Sequence, residues 1–151
     1  MSHWYKKATE ELPVGQWAGS VVYHGTDREA AEDILRRGVD MSRAQGGYFG
    51  FGFYTTPDKS LAQSNYADFG REDEEAAVLE LVIRPDAKIL DMRDAEDSEA
   101  YMRISAKGRG ISSPDFPRQM VAAGYDGLFD RSFDGVVIFN PKAVKVVGIS
   151  S

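Results

Sequence analysis

One segment constrains the fold of this chain more than any other: Gly46-Gly47-Tyr48-Phe49-Gly50-Phe51-Gly52-Phe53-Tyr54. Four of the seven residues from Gly46 to Gly52 are glycines, which excludes a stable helix there. Glycines interleaved with aromatic residues instead indicate a strand whose backbone lies close to another group. Because this segment ends at Tyr54, the tyrosine ring is predicted to stand beside space that a ligand can occupy.

The length of 151 residues predicts one domain, residues 1–151, with residues 1–19 as an N-terminal extension packed on it. Trp4 and Trp17 flank Pro13-Val14-Gly15 and are expected to hold that extension in place. No apolar run approaches the roughly 20 residues of a membrane span, and residues 1–12 carry no signal-peptide run. We therefore expect a cytoplasmic protein without a membrane partner, monomeric by default, although a chain delivered into another cell would look the same.

The composition also argues against two classes of site. The chain has no cysteine, and His3 and His24 are far apart in sequence, so we expect no metal. The formal net charge is −6, whereas a protein that binds nucleic acid through phosphates usually presents a basic face. Nucleic acid is therefore disfavoured as a partner, with residues 107–109 left open as a local basic patch.

The first half of the chain predicts a strand, a turn and a helix. Residues 20–23 form the strand and His24-Gly25 the turn. Thr26 is the predicted helix cap, because Glu29 three residues later completes a capping box. Gly38 is the predicted end of this helix.

A second helix is predicted after the glycine-rich strand, with Thr56 as its cap and Pro57 at its first position. Its apolar spacing places Tyr66 on a face with core residues, and Gly70 ends it. The remaining elements are predicted strands at 76–83, 88–90, 127–129, 136–139 and 144–149, and helices at 95–106 and 114–123. The fold class is therefore α+β.

Four motifs in this order resemble those of a known family: Tyr23-His24-Gly25-Thr26, Gly50-Phe51-Gly52-Phe53-Tyr54, Ser64-Asn65-Tyr66-Ala67, and Gly124-Tyr125-Asp126-Gly127 followed by Val136-Val137-Ile138-Phe139-Asn140-Pro141. They resemble the diphtheria-toxin and poly(ADP-ribose) polymerase branch of the ADP-ribosyltransferases, and its small bacterial and phage members in particular. The resemblance spans about residues 21–147.

The resemblance implies the ADP-ribosyltransferase fold: a split core of two facing, mostly antiparallel β-sheets with flanking helices, and NAD⁺ as co-substrate in the cleft. It implies a mono-ADP-ribosyltransferase, such as an effector, a toxin or a phage-encoded host modifier. The acidic charge favours a protein acceptor over nucleic acid. Two alternatives stay open, an NAD⁺ glycohydrolase and a catalytically inactive NAD⁺-binding module.

The resemblance also implies roles at the start of the site. The histidine at the position of His24 bonds the adenosine ribose, and the glycine at the position of Gly25 bonds the nicotinamide amide through its backbone. Thr26 completes this NAD⁺-binding motif. A glycine suits the role because a side chain would block close approach. The alternative for His24 is a hydrogen-bonded core histidine.

Tyr54 and Tyr66 match the two tyrosines that sandwich the nicotinamide ring in that family. Each aromatic face contributes roughly 1–3 kcal/mol, by analogy with base stacking on proteins. The alternative is that both are core tyrosines whose hydroxyls reach the surface. Gln63 or Ser64 replaces a serine that bonds the amide in the polymerases.

The catalytic acid departs from the family, which uses a glutamate at the head of the late strand. Aligning Phe139-Asn140-Pro141 without a gap puts Gly135 at that position. We expect Asp134 to act instead, re-aimed by a bulge near Gly135, with Asp130 as the next candidate if this stretch is a tight turn. The alternative is that Asp134-Gly135 is only a hairpin turn. Other acids are interpreted as surface or turn residues: Glu80 and Asp91.

Overall fold

The computed structural model describes residues 17–43, 45–47, 49–68, 72, 75–107, 110–132 and 134–150. Several predicted features lie outside the described residues: the extension before Trp17 with Trp4, the side chain of Asn65, and Tyr48, Phe69, Gly70 and Arg109. None of the helices formed by the described residues has the length and hydropathy needed to span a bilayer.

The described chain is α+β and is built on two mostly antiparallel sheets, as the sequence predicts. The smaller sheet has the order β1 (Val21–Asp27), β4 (Ala76–Ile83), β8 (Val144–Ser150). The larger has the order β2 (Gln45–Gly47), β3 (Gly50–Thr55), β7 (Gly135–Ile138), β6 (Gly127–Asp130), β5 (Ile89–Asp91). Only β5 and β6 run parallel among the described pairs.

Among the described residues, four α-helices flank the sheets, and three short 3₁₀ helices lie at Met41–Arg43, Gly110–Ser112 and Pro141–Ala143. The four α-helices are α1 (Arg28–Arg37), α2 (Lys59–Leu61), α3 (Ala95–Ser105) and α4 (Phe116–Ala122). Helix α2 continues directly into a wide π-helical turn, Ala62–Ala67, which we call the π-turn. The strands and helices from β4 onward begin and end within two residues of their predicted bounds, so these predictions are confirmed.

The two sheets face each other across one apolar core. Side chains from both sheets are almost fully buried in it: Val22, Leu79, Leu81 and Ile83 from the smaller sheet, and Phe53, Phe129, Val136 and Ile138 from the larger. A second cluster lies on the other face of the larger sheet, where α3 and α4 contribute Tyr101, Phe116 and Met120. The π-turn covers the outer face of the smaller sheet through Ala62 and Ala67.

Strand β1 is longer than predicted, and this changes the setting of His24 and Gly25. Both residues lie within the strand, not in a turn after it. Thr26 is paired with Ala77, and Asp27 caps α1 by accepting a hydrogen bond from the backbone N–H of Ala30 at 2.7 Å. The predicted Thr26 cap is wrong because pairing with β4 continues past it and aspartate caps a helix as well as threonine does.

The second helix also begins later than predicted. Asp58 is its cap and accepts from the N–H of Leu61 at 3.2 Å, whereas Thr56 pairs with Tyr23 of β1. Tyr66 is 39% exposed, so its predicted place on the core face is wrong. The π-turn is the reason, because the prediction assumed α-helical spacing.

Asp91 is the last residue of β5 and is fully buried, which corrects its interpretation as a surface or turn residue. It accepts hydrogen bonds from Trp17 Nε1 at 3.1 Å and from Arg93 Nε at 2.9 Å. Burial raises the pKa of Asp91, but the bonds from Arg93 and Trp17 outweigh it, and the net pKa lies below its ordinary value. Trp17 stacks on Phe129 with ring centroids 4.2 Å apart, so this end of the extension belongs to the core.

Candidate functional site

The candidate site lies where β1 and β3 separate. Tyr23 and Thr56 exchange both backbone hydrogen bonds, at 2.7 and 2.9 Å. In a continuing antiparallel ladder, the next pair to exchange bonds would be Gly25 and Tyr54. Instead, the carbonyl of Tyr54 accepts a hydrogen bond from Nδ1 of His24 at 2.7 Å. The side chain of His24 thus replaces a ladder bond, and the two strands part beyond it.

This separation leaves the backbone of Gly25 facing the gap. The backbone N–H and C=O groups of successive residues point to opposite sides of a strand, so residues two apart point the same way. Tyr23 directs its N–H and C=O toward Thr56. Those of Gly25 therefore point to the same side, away from β4. Within the described part of the chain, no group hydrogen bonds to either of them. A donor and an acceptor on one residue match the two hydrogen-bonding groups of a primary amide.

His24 joins the two sheets through one of its ring nitrogens. Its ring stacks on Phe53, with centroids 4.1 Å apart and planes 25° apart. Burial lowers the pKa of His24, and its bond to the Tyr54 carbonyl only partly opposes that, so the ring is neutral near pH 7. Because Nδ1 donates to a carbonyl, Nε2 is left as an acceptor. His24 is thus a hydrogen-bonded histidine at the edge of the core, with one acceptor that no described residue uses.

Tyr54 is held at its hydroxyl by the turn that precedes its own strand. The hydroxyl donates to the carbonyl of Gly50 at 2.7 Å and accepts from the N–H of Phe49 at 3.0 Å. Burial raises the pKa of Tyr54, the bond from Phe49 lowers it, and the phenol of Tyr66 raises it. This last effect requires the two tyrosines to be near each other.

Tyr101, on α3, is a neighbour of the site that no motif in the sequence indicated. Its ring meets that of Phe49 edge-on, with centroids 5.6 Å apart. Burial, together with the nearby Tyr54, raises the pKa of Tyr101 to about 12. Helical spacing alone carries no signal that Tyr101 lies near Tyr54, which is distant in sequence.

Gly25 also brings the π-turn against β1. A Cβ atom at Gly25 would lie 2.1 Å from the carbonyl oxygen of Ala62, 2.7 Å from the nitrogen of Ala67 and 2.8 Å from Cβ of Tyr66. The close approach of the π-turn backbone therefore requires a glycine at position 25. The sequence had suggested that a bound ligand required this glycine. Register puts Tyr54 on the same face as Gly25, so both tyrosines flank its backbone.

The other residues predicted to bind NAD⁺ are less well placed. Gln63 donates from Nε2 to Oδ1 of Asp68 at 2.6 Å, so its amide is turned toward the end of the π-turn. Ser64 is exposed on the π-turn, and Thr26 is half-buried in β1, two residues beyond His24 on the same face. The structure thus brings His24, Gly25, Tyr54 and Tyr66 together, and the roles expected for Gln63, Ser64 and Thr26 stay predictions.

The predicted acids lie in the hairpin between β6 and β7. Asp130 is paired with Gly135, and Asp134 occupies the turn with φ +46°. The described pairing of β6 and β7 runs without a register shift, so the expected bulge near Gly135 is wrong, whereas the choice of acid stays a prediction. Its carbonyl accepts from Thr56 Oγ1 at 2.6 Å, which fixes the turn beside the end of β3. The carboxylate of Asp130 accepts from Ser132 Oγ at 2.7 Å.

Gly135 itself faces the site. Tyr54 is directly opposite Val137, and residues two apart on a strand share a face, so Gly135 lies on the face of Tyr54. A side chain at position 135 would therefore point toward the tyrosine pair, and the chain has a glycine there. No protein-family model matches the chain, and no curated protein matches it.

Proposed function

We propose that this chain is a mono-ADP-ribosyltransferase with the ADP-ribosyltransferase fold, which cleaves NAD⁺ and transfers ADP-ribose to a protein acceptor. One observation carries the proposal. At the split between β1 and β3, the backbone of Gly25, to which no described group hydrogen bonds, is flanked by Tyr54 and Tyr66 and lies next to His24. A flat ring bearing a primary amide complements that arrangement, and the nicotinamide of NAD⁺ is such a group.

Each of these residues has a distinct binding role. The N–H and C=O of Gly25 bond the amide, and the rings of Tyr54 and Tyr66 cover the two faces of the nicotinamide. Each stacked face contributes roughly 1–3 kcal/mol. Nε2 of His24, as an acceptor, takes a hydrogen bond from a ribose hydroxyl of the bound dinucleotide.

The reaction breaks the bond between C1′ of the ribose and the ring nitrogen of nicotinamide. The electron pair stays on that nitrogen, so nicotinamide leaves neutral, and the acceptor's nucleophile bonds to C1′ and releases its proton. Asp134 stabilises the positive charge that develops on the ribose, a kind of electrostatic contribution that supplies several kcal/mol in enzymes. Without the family's glutamate the chain transfers a single ADP-ribose.

A second function is favoured by the hairpin. Asp134 lies in a left-handed turn, and Gly135, which faces the tyrosines, has no carboxylate. An inactive NAD⁺-binding module would keep the slot for nicotinamide and lack the acid. The two functions share their binding residues and differ only in nicotinamide release.

Binding is tested by calorimetry with two ligands, NAD⁺ and ADP-ribose, the second of which lacks nicotinamide. Tyr66→Ala removes one ring, whereas the matched control Tyr66→Phe keeps it. We expect Tyr66→Ala to weaken NAD⁺ binding by about tenfold and to leave ADP-ribose binding unchanged. Equal losses for both ligands, or no NAD⁺ binding by the unaltered protein at millimolar concentration, would refute the nicotinamide slot.

Turnover is tested with NAD⁺ labelled on its adenylate half and a cell lysate. Labelled protein indicates transfer, whereas free ADP-ribose alone indicates a glycohydrolase. Asp134→Asn is expected to lower nicotinamide release by about 10²-fold, and Asp130→Asn is the matched control in the same hairpin. Release that persists in Asp134→Asn overturns the acid assignment. Tight NAD⁺ binding without any release supports the inactive module.

A further inference from the structure

The π-turn is unusual in how it presents its side chains. The N–H of Asp68 donates to the carbonyl of Gln63 at 2.8 Å, a bond that spans five residues, not the four of an α-helix. Ala62 and Ala67, also five apart, are both fully buried against β1 and β4. In an α-helix, residues five apart diverge by about 140°, so the wide turn is what allows both alanines to face the sheet.

A side-chain bond closes the same turn. Nε2 of Gln63 donates to Oδ1 of Asp68 at 2.6 Å, between the same two residues that the backbone bond joins. Relaxation to α-helical spacing would turn one of the two alanines away from Gly25. Tyr66, which lies between them in sequence and has its Cβ near Gly25, would turn with it.

We propose that Gln63 and Asp68 are positioning residues for Tyr66: their side-chain hydrogen bond holds the π-turn and so sets the plane of the Tyr66 ring opposite Tyr54. In the proposed function, the pair thereby fixes one wall of the nicotinamide slot, and this part of the inference rests on that function. Gln63 thereby acts through Tyr66 and does not contact the amide that the sequence analysis assigned to it.

The first test observes the Tyr66 ring directly and needs no ligand. The protein is labelled with 3-fluorotyrosine, and the ¹⁹F signal of Tyr66 is assigned as the one lost in Tyr66→Phe. Gln63→Glu opposes two carboxylates and is expected to shift that signal. Adding Asp68→Asn restores a hydrogen bond with donor and acceptor exchanged, and the signal returns. Lys59→Ala, exposed on α2, is the control and leaves the signal in place.

The second test measures the dissociation constant for NAD⁺ in the same variants. We expect Gln63→Glu to weaken binding by about tenfold, as loss of one stacked face would, and the double variant to recover it. ADP-ribose binding stays constant throughout. This pattern separates positioning of the ring from general damage, which would weaken both ligands and would not be rescued by the exchange.

The two tests fail independently. An unchanged ¹⁹F signal in Gln63→Glu overturns the positioning pair, whatever the protein binds, and so does a shift that the double variant does not reverse. If the ¹⁹F signal moves and returns as expected but no variant binds NAD⁺, the positioning of Tyr66 stands and the proposed function falls.

Discussion

The two tyrosines that flank Gly25 are held in different ways. Tyr54 lies on β3, paired with β7, and its hydroxyl makes two hydrogen bonds to the backbone of Phe49 and Gly50. Tyr66 is 39% exposed on a six-residue π-turn. One wall of the candidate slot is therefore fixed by a sheet and the other by a local turn. A site built this way has a preformed wall and a second wall whose position depends on few contacts.

A glycine lies close to each of the two tyrosines, and the two glycines make different contacts. Beneath Tyr54, a Cβ at Gly52 would lie 2.3 Å from Cγ1 of Val137, so glycine lets β3 and β7 pack closely. Beside Tyr66, glycine at position 25 admits helix backbone instead of a side chain. The wall of Tyr54 therefore rests on strand packing, and the wall of Tyr66 rests on the approach of the π-turn backbone to Gly25 and on the bond between Gln63 and Asp68.

Gly25→Ala should have the largest effect on stability, and it should displace the π-turn that carries Tyr66 without altering the strand that carries Tyr54. Its methyl group would meet the backbone oxygen of Ala62, which cannot move without displacing the π-turn. We expect a loss of about 3 kcal/mol in the free energy of unfolding, measured in urea, since overpacking against backbone is at the costly end of its range.

Gly148→Ala is the matched control for that experiment. It lies on β8 of the same sheet, and a Cβ there meets nothing within 4 Å. Its effect should stay within about 0.5 kcal/mol. Equal stability of the two alanine variants would show that the π-turn does not depend on close approach to β1.

Tyr54→Phe should have the next largest effect and contrasts the two walls directly. It leaves the N–H of Phe49 and the carbonyl of Gly50 without their partner, at a cost of about 1–3 kcal/mol in unfolding free energy. Tyr66→Phe, at an exposed position, should cost less than about 0.5 kcal/mol. Similar losses for the two variants would remove the distinction between a fixed and a locally held wall.

The sequence predicted the second half of the fold closely because its signals are local. Strand β4 was predicted to the residue from its apolar run, and the glycine after α4 marked the end of that helix. The extension of β1 through Thr26 was missed because its partner Ala77 is far along the chain. Asp91 was misplaced for the same reason, since Trp17, which bonds it, is 74 residues away.

The candidate site divides in the same way. His24, Gly25, Tyr54 and Tyr66 were singled out from motifs, and the structure gathers them at one split between strands. The π-turn could not be foreseen, because apolar residues at its positions also fit α-helical spacing. The side-chain hydrogen bond between Gln63 and Asp68 depends on that turn and was not predicted either.

The smallest expected effect concerns pH and tests the burial of His24, the residue whose side chain joins the wall of Tyr54 to β1. Burial lowers the pKa of His24 below its ordinary 6.5 in the folded state, and the bond to Tyr54 only partly restores it. Below pH 6.5 the unfolded chain therefore binds more protons at His24 than the folded chain does. The stability that is fully present above pH 6.5 is lost as the pH falls from 6.5 through the lowered pKa of the folded state. The urea midpoint of unfolding should therefore be lower at about pH 5.5 than at about pH 7.5.

His24→Asn isolates this contribution, because an asparagine amide can still donate to the Tyr54 carbonyl but does not titrate. The variant should flatten the change in stability over that range, while Asp91, whose pKa is lowered, affects stability only below about pH 4. If the variant keeps the full pH dependence, the titrating group lies elsewhere. The cost of charging the buried His24 ring would then not be what destabilises the protein at low pH, because its Nδ1–H donates to the Tyr54 carbonyl in either protonation state.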